Sequence, residues 1–83
     1  MIVQVFEMYS DDCDCNDYEE GETIRVGKDA VSASYAILED PNQDPEESER
    51  RGELTTGGEY VFRGGKLMGR LDGRWVDWET EEF

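Results

Sequence analysis

Glu59-Tyr60-Val61-Phe62-Arg63, Gly64-Gly65, Lys66-Leu67-Met68-Gly69-Arg70-Leu71, Asp72-Gly73 and Arg74-Trp75-Val76-Asp77-Trp78-Glu79 follow one another without interruption. Three short runs rich in β-favouring residues are separated by two glycine-containing dipeptides. Asp-Gly and Gly-Gly supply the positive φ angles that two-residue hairpin turns demand. The stretch therefore predicts a three-stranded antiparallel meander. Strand alternation puts Val76 and Trp78 on its buried face and Trp75, Asp77, Glu79 and Glu81 on the other.

Working towards the N-terminus, residues 39–58 read as a polar connection. Within it, Asp44-Pro45-Glu46-Glu47 has the punctuation of a short helix start: Asp44 as cap, Pro45 in the first turn, Glu47 completing a capping box, and Gly52 as a stop. Glu46–Arg50 and Glu47–Arg51 have the i, i+4 spacing of helical ion pairs.

Residues 30–38 fit two periodicities. Asp29 can cap a helix that aligns Val31, Tyr35 and Leu38; a strand aligns Val31, Ala33, Tyr35 and Ile37 instead. The cap and the length favour the helix. Residues 23–26 alternate as a short strand, residues 9–22 form an acidic loop, and residues 1–8 form an N-terminal strand. The expected fold is α+β: one acidic domain over residues 1–83, with a sheet of about five strands and one short helix.

Charge is the outlying property. The chain has 22 Asp and Glu against 8 Lys and Arg, a formal charge of −14 over 83 residues. Self-repulsion on that scale opposes compaction and disfavours direct contact with nucleic acid or an anionic membrane. The sequence has no long apolar run and no leader-like N-terminus, and a cytoplasmic location is expected.

Catalytic signals are weak. Without histidine the commonest general base is missing, and no phosphate-cradling glycine loop precedes a helix. No enzyme activity and no cofactor are expected. Asp12-Cys13-Asp14-Cys15-Asn16 begins like a calcium loop, but Asp17 stands where the glycine is needed and Thr23 where the bidentate glutamate is needed. Two cysteines without further thiol or imidazole ligands fall short of a closed zinc site, and acidic neighbours suppress the thiolate.

The negative charge falls in three blocks: residues 11–22, 39–53 and 77–82. DNA-binding proteins meet the duplex with Lys/Arg-lined grooves, and a compact body of clustered carboxylates can occupy such a groove. In size, charge and aromatic content the chain resembles the small acidic DNA-mimic inhibitors of phages and mobile elements, the anti-CRISPR and anti-restriction proteins. That class shares no motif, so the resemblance carries over no residue. It implies a basic nucleic-acid-binding protein as partner, a CRISPR effector subunit first and a restriction or repair protein next. The candidate contact residues are Asp11, Asp12, Asp14, Asp17, Glu19 and Glu20 in the N-terminal block, and Trp75, Asp77, Glu79 and Glu81 in the C-terminal one. Two other readings of the charge are adaptation to high salt, which two Lys against six Arg would suit, and a metal-responsive acidic loop.

Overall fold

In the computed structural model, which describes residues 1–80, the chain forms two antiparallel four-stranded sheets. The first sheet has the order β2-β1-β4-β5, built from β1 (Ile2–Met8), β2 (Cys13–Tyr18), β4 (Ser32–Leu38) and β5 (Arg51–Leu54). The second has the order β3-β6-β7-β8, built from β3 (Thr23–Arg25), β6 (Glu59–Arg63), β7 (Lys66–Leu71) and β8 (Arg74–Asp77). The only helical element among the described residues is a 3-10 turn, Pro45–Glu47.

The C-terminal meander forms as its turns dictate. Gly64 and Gly65 have φ of 60° and 76°, and Asp72 and Gly73 have φ of 52° and 80°. Both pairs of positive angles match the turn that follows the right-handed twist of the flanking strands. Cross-strand partners Tyr60, Gly69 and Val76 line one face, and Val61, Met68 and Asp77 line the other.

The α+β expectation is overturned: the fold is nearly all β. Residues 30–38 are not a helix but contain β4, an internal strand between β1 and β5. Ala33, Tyr35 and Ile37 face the core, while Ala36 and Leu38, on the opposite face, are also buried. A strand covered on both sides loses the period-two signature and imitates the apolar stripe of a helix.

The acidic stretch 9–22 is likewise not all loop. β2 runs through it, zipped to β1 from Val3↔Tyr18 to Met8↔Cys13. Asp and Asn are poor strand formers, but pairing with an apolar neighbour overrides local preference. The presumed connection 39–58 contains β5. Its capping signal is real but short: Asp44 Oδ1 accepts from Glu46 N at 2.9 Å, and the turn ends at Ser48. With three helical residues, the i, i+4 pairs to Arg50 and Arg51 have no helix to act on. Arg50 reaches instead to Glu79, at 2.6 Å.

The two sheets pack through their inner faces. Val3, Val5, Tyr35, Ile37 and Leu54 of the first meet Ile24, Val26, Tyr60, Phe62 and Leu67 of the second in one cluster. Burying a side chain of this size contributes about 1.5–3 kcal/mol. Trp78 closes the rim beside β5. Its ring meets Tyr60 edge-on, with centroids 4.9 Å apart, and its Nε1 donates to Glu53 O at 2.9 Å.

Polar ties secure the loops. Glu7, buried on the inner face of β1, accepts from Gly27 N at 2.7 Å and from the Tyr9 hydroxyl at 3.2 Å. Ser48, also buried, donates from Oγ to Ile37 O at 2.6 Å. That bond holds the segment 44–49 against the end of β4.

Candidate partner-binding surface

The register distributes the acidic residues of β2 between both faces. Asp14 stands opposite Glu7 on the inner side, at the open edge of the sandwich, while Asp17 stands opposite Gln4 on the outer side. Gln4 Nε2 donates to Asp17 Oδ1 at 3.1 Å. Asp11 and Asp12 occupy the β1–β2 turn, which Tyr9 N closes on Asp12 O at 2.7 Å. Glu19 and Glu20 lie in the turn that leaves β2. Glu19 N donates to Glu22 Oε2, and Glu20 Oε1 accepts from Gly65 N at 3.0 Å. All six carboxylates are exposed.

The C-terminal candidates sit in a different environment. Asp77 is 3.6 Å from Lys66 Nζ, across the β7–β8 ladder. Glu79 takes both Nε and Nη2 of Arg50, whose Nη2 also donates to Gly65 O at 2.5 Å. Arg70 lies over the Trp75 ring at 5.9 Å and pairs with Glu59 at 3.4 Å. Glu81 falls outside the described residues. The C-terminal set is thus tied into the protein's own cations, and the N-terminal set is not.

This contrast follows from how the sheets divide the charge. By register, Arg25, Arg63, Lys66 and Arg70 share the outer face of the second sheet with Glu59, Asp77 and Trp75. Half of the eight cations are gathered there. Among the described residues, ion pairs involve only Glu59, Asp77 and Glu79 on the acidic side. The carboxylates of 11–22 and 39–53 belong to the first sheet or to loops that leave it, and no ion pair neutralises them.

Cys13 and Cys15 lie exposed on the outer face of β2, opposite Met8 and Phe6. Partial burial pushes the Cys15 thiol up from its ordinary value, with Asp17 and Cys13 adding to the effect. Since β2 passes through residues 13–18, the calcium-loop geometry is not formed. Among the described residues, no group of three or more Asp, Glu or Cys is placed to hold a metal ion. No helix of the described chain is long and apolar enough to cross a membrane.

The sequence reading did not nominate Asp44, Glu46, Glu47, Glu49 or Glu53, although their block was visible in the charge. The 3-10 turn and its flanks bring Asp44, Glu46, Glu47 and Glu49 along a concavity of the first sheet's outer face floored by Phe6 and Ala36, and β5 sets Glu53 opposite Ser34 on the same face. The available signal was the apolar content of Ile2, Phe6 and Met8 at even positions of β1, which implies an outer face that is not wholly polar.

No family model, curated protein or solved structure matches this chain.

Proposed function

We propose that the protein inhibits a nucleic-acid-binding protein by acting as an acidic DNA mimic. It would occupy a Lys/Arg-lined groove, such as the DNA- or PAM-recognition groove of a CRISPR effector, and exclude the nucleic acid. Restriction and repair proteins offer the same kind of groove. The location consistent with this role is the cytoplasm of the cell that holds the target.

One observation carries the reading: the carboxylates of the β1–β2 hairpin and the 19–22 turn are exposed and not ion-paired, while the second sheet gathers half of the cations. Solubility of a small domain needs a net charge of only about 2–8 in magnitude, so a charge of −14 goes beyond that need at a cost in self-repulsion. Clustered like charge gives long-range steering towards a basic groove, and salt weakens it. Single exposed pairs are worth ~0.2–1 kcal/mol each, so affinity requires several at once.

The test is displacement. Labelled duplex DNA bound to a CRISPR effector complex, a restriction endonuclease or a repair protein is titrated with this protein at low and high salt. Release of DNA from at least one of them, steeply weakened by salt, is the expected result. A ternary complex that retains DNA, with salt-independent affinity, would overturn the mimic reading.

A further inference from the structure

Among the described residues, the outer face of the first sheet is covered over Ala36 and Leu38 but open beside Phe6 and Met8, and the open part has an unusual composition. β1 and β2 set Met8 beside Cys13 and Phe6 beside Cys15, and β4 continues the rows with Ser32 and Ser34. Met8 is 51% exposed and Val31, whose N–H donates to Met8 O, is 73% exposed. A chain this polar has few large apolar side chains, and two of them stand in water next to a half-buried phenylalanine. Contiguous exposed apolar groups of this kind mark interaction sites more often than isolated ones do.

The face is also grooved. Two concavities meet at Phe6 and Ser34: one passes beneath the 44–49 segment, the other runs past Met8, Cys13 and Val31 towards Glu53. Their walls carry Asp44, Glu46, Glu47 and Glu49 at one end and Glu53 at the other, with Arg51 as the single cation among the lining residues. The floor sets Phe6, Met8 and Ala36 beside the small hydroxyls of Ser32 and Ser34, and the rim is mainly acidic, an arrangement like that of a protein interface with an apolar centre and a polar rim.

Charge selects the occupant. A second copy brings another −14 to a rim that is already negative. Anionic lipid and nucleic acid are repelled in the same way. A basic polypeptide is attracted by the five carboxylates of the lining, which outnumber the single cation, Arg51. The geometry points to this groove as the seat of an extended Lys/Arg-rich segment of the partner protein, with one apolar side chain lodged between Phe6 and Met8. The aliphatic stems of Lys or Arg lie along the floor and their charged ends reach the carboxylates. Met8, with Cys13 beside it, adapts to the shape of the inserted group. This rests on the mimic reading for the identity of the partner, but not for the existence of the groove.

Two synthetic probes test it: a short Lys/Ser peptide with one central Leu, and the same peptide with Ser in place of Leu. Backbone amide shifts are followed in the full chain at low salt. The Leu peptide is expected to bind about tenfold more tightly, the worth of burying part of one aliphatic side chain, and to shift Phe6, Met8, Val31, Ser34 and Glu47. The double variant Met8→Ser/Val31→Ser, changed only at exposed positions, should bring the two peptides to equal affinity without loss of fold. Glu46→Lys/Glu47→Lys should weaken both. Equal affinities for the native protein, or shifts confined to the Asp11–Asp14 turn or to the free edge of β2, would overturn the groove. If the Leu peptide seats there but no DNA-binding protein releases DNA, the groove stands and the mimic reading falls. If DNA is released equally well by Met8→Ser/Val31→Ser, the mimic reading stands and the partner's segment is not seated in this groove.

Discussion

Trp78 lies across Gly69 so closely that a Cβ on Gly69 would stand 2.3 Å from Cε3 of the indole. The missing side chain on β7 is what lets the ring reach Tyr60 and close the sandwich rim. Gly69→Ala should therefore push the indole off its seat and cost ~1–3 kcal/mol, the usual range for overpacking. Urea unfolding followed by tryptophan fluorescence measures it. A neutral Gly69→Ala would show that Trp78 is not held in this position. Trp78→Ala should cost about 3 kcal/mol, the lower end for a large aromatic because the ring is only half-buried.

Arg50, immediately before β5, joins the segment that carries the 3-10 turn to the turn at Gly65 and to Glu79. Its side chain and that of Glu79 are 34% and 21% exposed, so solvent screens the pair only in part. Arg50→Ala should cost about 1–2 kcal/mol, with a coupling to Glu79→Gln of about 1 kcal/mol in a double-mutant cycle. Additive single effects would mean that the pair contributes nothing beyond its separate parts.

Charge reversal should separate fold from binding. Asp11, Asp12 and Asp14 changed together to Lys remove repulsion without breaking any ion pair, so thermal stability should hold or rise while DNA displacement falls sharply. Asp77 and Glu79 changed together to Lys break the pairs to Lys66 and Arg50. That variant should lose stability first. Unchanged displacement by the N-terminal triple variant, at low salt, would remove that hairpin from the contact surface.

Alkaline pH should destabilise the fold. Burial pushes the Tyr35 phenol above its ordinary pKa, with Glu79 adding to the rise, and burial does the same to Tyr18. The unfolded chain then releases these protons at lower pH than the folded one does. Stability is complete below the ordinary tyrosine value of about 10 and declines as pH climbs through it. Tyrosinate absorbance and near-UV circular dichroism, followed together, should show delayed ionisation that ends with loss of the fold. Tyrosines that titrate at their ordinary value in the folded protein would contradict it.

At low ionic strength the folded state should persist, because one core cluster joins both sheets and the second sheet carries its own ion pairs. Circular dichroism over a salt series is sufficient. A chain that unfolds as salt is removed would instead favour adaptation to high salt as the origin of the charge.

The meander was legible in the residues because its turns are local: Gly64-Gly65 and Asp72-Gly73 adopt positive φ with little reference to anything distant. Strands 1–8 and 23–26 were legible for a similar reason, the first through its run of apolar and β-favouring residues and the second through alternation. The Asp44 cap was also local, but the length of the turn that follows it was not. Ser48 ends it by donating to Ile37 of β4, eleven residues back.

What the tertiary structure alone decided was pairing. β2 and β5 are strands only because β1 and β4 offer them a hydrogen-bonding edge, and neither has the composition of a strand. β4 resembled a helix because both of its faces are covered, a fact about its neighbours rather than its own sequence. The same pairing decided which carboxylates are available. The sequence alone established a strongly negative chain in three blocks. Folding then set Lys66 beside Asp77 and Arg50 beside Glu79, tying down the described part of the C-terminal block, and left the N-terminal block exposed without a counter-charge. Electrostatic contacts between residues distant in the chain depend on the register of the sheets, and composition does not encode register.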